Sequence, residues 1–184
     1  MGHAAVGIGR RVVVTGLTGS GKSTFSLSLA ERTGLPVIHL DLHFWKPGWV
    51  APSEDEWREQ QRALLAGDAW IADGNYHETL DLRLGRADTV VFLDTPWWVC
   101  SGQAFRRGLR KPIGRLPEGC ELSAWRQFRD GCRMAFVAWR KRRSEVDREH
   151  EIISQHGLQV ALHVLTSRRA VREFLDGLSA TENG

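Results

Sequence analysis

The sequence is poor in cysteine and has no long apolar run. Its three cysteines, Cys100, Cys120 and Cys132, are an odd number at irregular spacing, which indicates neither a disulfide framework nor a zinc site. No apolar run approaches the ~20 residues that a membrane span needs, and the N-terminus lacks the apolar core of a secretory signal peptide. We therefore expect a reduced, cytoplasmic protein with no membrane partner.

The size and composition of the chain are typical of one globular domain. It has 184 residues, of which 42% are hydrophobic and 26% are charged, and it contains no internal repeat or low-complexity tract. These values exclude a collagen-like or intrinsically disordered chain. We expect residues 1–184 to form a single domain.

The positive charge is concentrated in one segment. Residues 101–150 contain 13 Lys or Arg against 6 Asp or Glu, a balance of +7. The other 134 residues carry 12 basic and 16 acidic side chains, a balance of −4, so the whole chain has a net charge of +3. A basic segment of this kind favours a polyanionic partner, either the phosphates of a nucleotide or the backbone of a nucleic acid.

Short apolar runs alternate with amphipathic segments along the chain. Ser53 and Glu56 have the pattern of a capping box at the start of a helix, and Thr95 followed by Pro96 predicts another helix start. Further helices are predicted over residues 123–149 and 167–178. The alternation predicts an α/β fold in which helices cover both faces of a mostly parallel sheet. The predicted strands are residues 11–15, 37–40, 69–72, 89–93 and 159–165.

A glycine-rich segment joins the first predicted strand to a helix. Residues 16–23, Gly-Leu-Thr-Gly-Ser-Gly-Lys-Ser, fit the spacing G-x-x-x-x-G-K-[ST], whose backbone N–H groups converge on phosphate oxygens. Lys22 is expected to reach the β- and γ-phosphates, and the Ser23 hydroxyl to join the shell of a Mg²⁺ ion. The segment predicts ATP and Mg²⁺ as ligands, with the nucleotide held by Gly16, Thr18, Gly19, Ser20, Gly21, Lys22, Ser23 and Thr24.

An aspartate follows each of three predicted strands: Asp41, Asp73 and Asp94. Because the carboxyl ends of parallel strands meet at one edge of a sheet, all three side chains are expected to face the glycine-rich segment. One of them would support Mg²⁺, and one would accept a proton from a substrate hydroxyl. Asp73 and Asp94 have plainer alternatives, a turn and a helix cap, whereas the composition around Asp41 favours a functional site.

The segment around Asp41 is rich in histidine and aromatic side chains. Trp45 and Trp49 lie between turn residues and are expected to form the walls of a substrate pocket. His39 and His43 flank the end of a predicted strand, where their spacing does not bring them together, so they are expected to line the pocket rather than to bind a metal.

The basic segment is interrupted by glycines and prolines. An arginine-rich loop after the fourth strand is able to close over a polyphosphate and to stabilise the charge of a transition state, so residues 101–122 are predicted to form a lid. The run at residues 140–143 is better explained as a solvated helix face. The cations of the predicted lid are Arg106, Arg107, Arg110, Lys111 and Arg115.

Several of these segments together resemble the DNA topology modulation (FlaR-like) proteins, small P-loop proteins related to adenylate kinase and other nucleoside and nucleotide kinases. The segments are GLTGSGKST, PVIHLDLHFWKPGW, WIADGNYHETLDLR and ADTVVFLDTP, followed by the basic segment. The resemblance extends over residues 11–178. It implies a P-loop kinase fold with five parallel strands in the order 2-3-1-4-5, ATP at the glycine-rich segment, and an arginine-bearing lid.

The resemblance also implies roles for single residues. Asp73 matches an Asp-Gly pair that lies near Mg²⁺ in relatives of adenylate kinase, and Arg83 lies near the position where they hold acceptor phosphates. The chain departs from the pattern after Pro96, where Ser-Gly-Gln stands in place of a bulky residue and an arginine. This departure leaves Arg106 and Arg107 as the candidate lid arginines.

These observations predict an ATP-dependent phosphotransferase that acts on a nucleoside, a nucleotide or a similar hydroxyl compound. Two alternatives stay open: a regulatory or nucleic-acid-associated ATPase, and a protein that holds nucleotide without turnover. A pI of 9.0 and the lack of a nucleic-acid-binding motif make nucleic acid the less favoured partner. The predicted roles are ATP binding by Lys22, Mg²⁺ binding by Ser23 and Asp73, orientation or deprotonation of the acceptor by Asp41, and stabilisation of phosphoryl charge by Arg83, Arg106 and Arg107.

Overall fold

The structure is a computed structural model that describes residues 7–108, 136, 147, 151–155 and 160–179. The predicted helix over residues 123–149 and the part of the predicted lid from residue 109 onward lie outside the described residues, apart from residues 136 and 147, which are helical.

Five strands form one parallel sheet in the order β2-β3-β1-β4-β5, which confirms the predicted order. The register places Val14 of β1 opposite Asp73 of β3 and Val91 of β4. The strands are β1 (Arg11–Gly16), β2 (Val37–His39), β3 (Trp70–Asp73), β4 (Thr89–Leu93) and β5 (Ala161–Leu165). The predicted bounds of β4 are confirmed. The predicted ends of β1, β2 and β3 are wrong by one residue, and β5 starts two residues later than predicted, because strand ends depend on pairing that periodicity does not reveal.

Helices connect the strands. Residues 151–155 are also helical. The helices in the described ranges are α1 (Lys22–Thr33), α2 (Leu40–Phe44), α3 (Glu54–Leu64), α4 (Leu80–Leu84), α5 (Trp97–Gly108) and α6 (Arg168–Ser179), with a 3₁₀ turn at His77–Thr79. The short helices α2 and α4 carry too little periodicity to be predicted from the sequence.

The helix starts agree with the sequence prediction at one position and differ at another. The Ser53 hydroxyl accepts from the Glu56 amide at 3.3 Å and the Glu56 carboxylate accepts from the Ser53 amide at 2.9 Å, so the capping box of α3 is confirmed. The prediction of Thr95 as the cap of α5 is wrong by one residue. The Pro96 carbonyl accepts the Cys100 amide at 3.1 Å, so Pro96 directly precedes the helix.

Apolar side chains cover both faces of the sheet. Alternate residues of β1 point to opposite faces. Val12 and Val14 lie in the apolar cluster of Phe25 of α1, whereas Val13 lies in the cluster of Trp70 on the other face. Helices pack on both faces of the sheet. Because the strands are parallel, the carboxyl ends of β1, β2 and β3 lie at one edge. Within the described ranges, no helix is long and apolar enough to cross a lipid bilayer.

Candidate functional site

A glycine-rich loop follows β1 at the centre of this edge. The backbone of Gly16 has φ of 133° and that of Gly19 has φ of 86°, both in the region that favours glycine. A Cβ atom at either position would overlap a backbone carbonyl, that of Leu93 for Gly16 and that of Cys100 for Gly19. The loop therefore needs glycine at both positions to lie against β4 and α5.

The loop ends at the N-terminus of α1. Gly21, with φ of 97°, precedes the first helical residue, Lys22, and the first turn of α1 contains no acidic side chain. Unpaired amides and the helix dipole give this end a partial positive charge. Ser23 and Thr24 occupy the same turn and are exposed to solvent. Phosphate binding at the predicted residues stays a prediction.

The Lys22 ammonium lies folded over the loop. Its Nζ atom donates to the carbonyl oxygens of Gly16 at 2.7 Å and Leu17 at 3.0 Å. The Ser20 amide donates to the Leu17 carbonyl at 3.0 Å, which closes the loop beneath the ammonium. A cation held at this position lies over the same backbone that would surround a polyphosphate.

The other predicted loop residues connect to neighbouring elements. The side-chain amide of Asn75, just after β3, donates to the Thr18 hydroxyl at 3.3 Å. The Thr95 hydroxyl donates to the Ser20 carbonyl at 3.4 Å. These bonds attach the loop to the ends of β3 and β4, so the carboxyl ends of three strands are linked at one place.

Asp73 is the last residue of β3, and it is buried with 4% of its surface exposed. Its Oδ1 atom lies 2.9 Å from Nδ1 of His39, the last residue of β2. This hydrogen bond with Asp73 is the main reason that the pKa of His39 is raised, against the opposing effect of burial. The Oδ2 atom of Asp73 is buried and has no hydrogen-bond partner among the described residues.

Asp41 lies in the first turn of α2 and is exposed to solvent. Its Oδ1 atom accepts a hydrogen bond of 2.8 Å from the Tyr76 hydroxyl. Burial of the Tyr76 ring and the nearby Asp41 charge raise the pKa of Tyr76, so the phenol keeps its proton and acts as the donor. Asp94 follows β4 and is half-buried, and it lies too far before α5 to cap that helix.

The Arg83 guanidinium is buried beneath the loop after β3, with 1% of the residue exposed. It donates to the Gly74 carbonyl at 2.9 Å and to the Tyr76 carbonyl at 2.6 Å. Gly74, with φ of 147°, begins this loop. Arg83 thus holds the backbone that carries Asn75 and Tyr76, and its charge faces carbonyl oxygens.

Five aromatic rings, here named the aromatic cluster, pack beside Asp41. Tyr76 belongs to the cluster and also binds Asp41, so the rings lie next to the carboxylate. The cluster brings together Trp45 and Trp49, as the prediction of a pocket wall requires. Its centroid distances are 4.9 Å for Phe44–Trp45, 5.1 Å for Phe44–Trp57, 4.6 Å for Phe44–Tyr76, 5.0 Å for Trp57–Tyr76 and 5.7 Å for Trp45–Trp49.

Of the predicted lid cations, only Arg106 has a described side chain. It is exposed and lines a cavity of about 540 Å³ together with Trp98, Gln103 and Arg168. The backbone of Arg107 lies in α5, and its side chain lies outside the described residues. Arg110, Lys111 and Arg115 also lie outside them.

Several contacts of the site were not predicted from the sequence. Tyr76 lies in the segment WIADGNYHETLDLR and is the only tyrosine of the chain, so the sequence did contain a signal for it. His39 was expected to line the pocket, yet it binds Asp73 directly. Phe44 and Trp57 join the aromatic cluster through helix packing, which leaves no sequence signal.

No protein-family model matches the sequence, and no curated protein matches it. Three solved structures align with 95% of the chain. A shikimate kinase from Bacteroides thetaiotaomicron aligns over 99% of its own chain with 17% identity and a TM-score of 0.51. A gluconokinase from Sinorhizobium meliloti 1021 aligns over 94% of its chain with 20% identity and a TM-score of 0.46. A sugar kinase from Janibacter sp. HTCC2649 aligns over 92% with 20% identity and a TM-score of 0.43.

At 17% identity, the likeness to the shikimate kinase shows the fold alone. Together with the strand order, it shows that the chain has the P-loop kinase-like fold: a five-stranded parallel sheet in the order β2-β3-β1-β4-β5, with helices on both faces.

Proposed function

We propose that this protein is an ATP-dependent phosphotransferase that transfers the γ-phosphoryl group to a hydroxyl of a small acceptor. One observation carries the proposal: a phosphate-type loop with a folded lysine lies at the same sheet edge as two carboxylates, Asp41 and Asp73. The fold shared with a shikimate kinase supports a kinase-like reaction. The proposed functional unit is one domain, residues 1–184, with residues 101–122 as its lid.

The loop and the start of α1 bind ATP in this proposal. Backbone N–H groups from Gly16 to Thr24, those of Thr18 and Ser20 included, would donate hydrogen bonds to phosphate oxygens. On binding, the Lys22 ammonium exchanges the carbonyls of Gly16 and Leu17 for oxygens of the β- and γ-phosphates. The lysine thus moves little, since the carbonyls already hold it above the loop.

Ser23 and Asp73 would hold Mg²⁺. Both offer hard oxygen atoms, the donors that this ion prefers, and the buried Oδ2 atom of Asp73 lacks a partner among the described residues. A buried carboxylate oxygen without a partner is costly, and a hydrated cation would satisfy it. When bound, Mg²⁺ would neutralise charge that develops on the phosphates.

Asp41 would receive the proton of the acceptor hydroxyl. Its Oδ1 atom is occupied by the Tyr76 hydroxyl, which leaves Oδ2 for the acceptor. In the transfer step, the acceptor oxygen bonds to the γ-phosphorus while the bond from that phosphorus to the β–γ bridging oxygen breaks. The acceptor proton passes to Asp41 and ADP departs with the bonding electron pair.

The arginines divide into two proposed roles. Arg106 and Arg107 stabilise the charge of the transferring phosphoryl group when the lid closes. Arg83 acts through the loop after β3, because both of its terminal nitrogens already donate to the Gly74 and Tyr76 carbonyls. In this proposal Arg83 fixes Tyr76, which in turn fixes Asp41.

A screen of acceptors with ATP and Mg²⁺ tests the proposal. ADP release should rise above the hydrolysis background for at least one hydroxyl compound, and phosphate should appear on that compound. If ADP is released at the same rate with every candidate acceptor, and an equal amount of free phosphate appears, the protein is an ATPase. No ADP release combined with tight ATP binding would identify a protein that only holds nucleotide.

A further inference from the structure

Residues 37–84 form the acceptor side of the proposed site and are strongly acidic. This fully described segment includes β2, β3 and the aromatic cluster. It contains nine Asp or Glu against four Lys or Arg, a balance of −5. An acidic surface repels an anionic ligand unless cations are placed to receive it.

All four cations of this segment already have partners. Three form ion pairs on the surface, and the fourth, Arg83, is buried against the carbonyls of Gly74 and Tyr76. Each of them is therefore already neutralised by a carboxylate or held by carbonyl oxygens, which weakens its attraction for an anionic substrate. The ion pairs are Lys46–Glu56 at 2.9 Å, Arg58–Asp81 at 2.6 Å and Arg62–Glu59 at 3.0 Å.

The same side presents aromatic surface instead of cations. Trp45 and Trp49 are half-buried, so part of each ring stays accessible to a ligand. Trp45 directly precedes, and Trp49 lies within, a hairpin in which the Lys46 amide donates to the Val50 carbonyl at 2.9 Å. Indole rings favour the flat apolar face of another ring.

The backbone of Trp49 is held in an unusual conformation. The Trp49 amide donates to the Lys46 carbonyl at 3.0 Å, and Pro47 and Gly48, the latter with φ of 76°, make the turn between them. Trp49 itself has φ of 65°, the only positive value of a non-glycine residue in the described ranges. A bulky residue rarely adopts this region, and such strain concentrates at ligand sites.

We infer that the acceptor carries no anionic group and presents a flat ring to Trp45 and Trp49, with its hydroxyl directed to Asp41. The inference rests on the proposed function and narrows it. It favours compounds such as an unphosphorylated nucleoside over nucleoside monophosphates, sugar acids and carboxylated rings. An anion would face Asp41 and Asp73, every Lys and Arg of residues 37–84 already has a partner, and the His39 ring is bound to Asp73.

Pairs of acceptors that differ only in a remote anionic group test the inference. The pairs are thymidine and thymidine 3′-monophosphate, adenosine and adenosine 3′-monophosphate, and methyl shikimate and shikimate. Each nucleoside 3′-monophosphate keeps the 5′-hydroxyl and loses only the 3′-hydroxyl to the phosphate ester, and both shikimate compounds keep all three ring hydroxyls. Binding is measured by tryptophan fluorescence with Mg²⁺ and a non-hydrolysable ATP analogue, and transfer is measured with ATP. We expect the uncharged member to bind at least tenfold more tightly and to have the higher kcat/KM.

A matched pair of variants tests the ring contact. Trp49→Leu should raise the KM of the preferred acceptor about tenfold with the KM of ATP unchanged, because it removes a stacking surface. Val50→Ala alters the neighbouring exposed residue of the same hairpin and should leave both values as in the wild type.

The outcomes separate the inference from the proposed function. A higher kcat/KM for the anionic members would overturn the inference and leave the proposed phosphotransferase in place. Equal kcat/KM for both members of each pair would have the same consequence. Absence of binding by every probe, with ATP still bound, would also overturn it. Tighter binding of the uncharged members without any transfer would support the charge preference of the site and contradict the proposed reaction.

Discussion

The hydroxyl of Tyr76 donates a hydrogen bond of 2.8 Å to Oδ1 of Asp41, joining residues 35 positions apart in the sequence. The centroid of the Tyr76 ring lies 4.6 Å from that of Phe44 and 5.0 Å from that of Trp57. The backbone carbonyl of Tyr76 accepts a hydrogen bond from the Arg83 guanidinium. The phenol is therefore fixed at three points, and it fixes the orientation of the carboxylate in turn.

Replacing Tyr76 with phenylalanine should lower acceptor-dependent kcat about tenfold, the scale of one hydrogen bond to a charged group. The ring and its packing stay, so the free energy of unfolding should change little. ATP affinity, measured by calorimetric titration, should match that of the wild type. A Tyr76→Phe enzyme with unchanged kcat would show that Asp41 needs no support from the phenol.

Replacing Asp41 with asparagine should lower acceptor-dependent turnover by about 100-fold or more, the usual scale of general-base catalysis. The side chain keeps its shape and can still accept from Tyr76, so ATP affinity should stay near the wild-type value. Normal turnover with a verified acceptor would make Asp41 a structural residue. Loss of Mg²⁺·ATP binding would instead place Asp41 in the metal shell, and the base would lie elsewhere.

The sequence was sufficient to predict the loop and the kind of fold. The spacing from Gly16 to Ser23 predicts a glycine-rich turn between a strand and a helix, and β4 is a continuous apolar run bounded by polar residues, so both were predicted with their correct positions. The strand order followed from the resemblance, because periodicity shows which face of a strand is buried but not which strand lies next to it.

Contacts between distant residues explain what the sequence did not reveal. Arginine is mostly exposed in proteins, so burial of Arg83 beneath the loop after β3 was not expected from its sequence position. The left-handed backbone at Trp49 is equally hidden, since glycine and asparagine are the usual residues there. Both features depend on tertiary structure that overrides local preference.

Replacing Arg83 with glutamine should lower the free energy of unfolding by about 2 kcal/mol, since two backbone carbonyls lose a charged donor. Urea denaturation monitored by circular dichroism measures this change. Arg62→Gln is the matched control, because Arg62 forms only an exposed pair with Glu59, and its unfolding curve should overlay the wild type. Equal stability of the two variants would contradict the buried role of Arg83.

Replacing Arg106 and Arg107 together with glutamine distinguishes a lid from a nucleic-acid contact. As lid residues they stabilise phosphoryl charge, so turnover should fall much more than any binding to duplex DNA. The double variant Arg142→Gln with Arg143→Gln removes the same charge from the run expected to be a solvated helix face, and it should keep full turnover. Submicromolar duplex binding that weakens steeply with salt, alongside unaffected ATP turnover in the Arg106 and Arg107 variant, would favour the nucleic-acid alternative.

Transfer of label from [γ-³²P]ATP, in the wild type and in Lys22→Ala, tests the central claim most directly. Lys22 lies over the glycine-rich loop through the Gly16 and Leu17 carbonyls, where the proposed function places the phosphates of ATP, so its loss should abolish ATP binding or turnover while circular dichroism shows an intact fold. The account predicts that label moves onto a hydroxyl compound in the wild type and not in the variant. Label found only in free phosphate, or transfer that persists at the wild-type rate in Lys22→Ala, would contradict it.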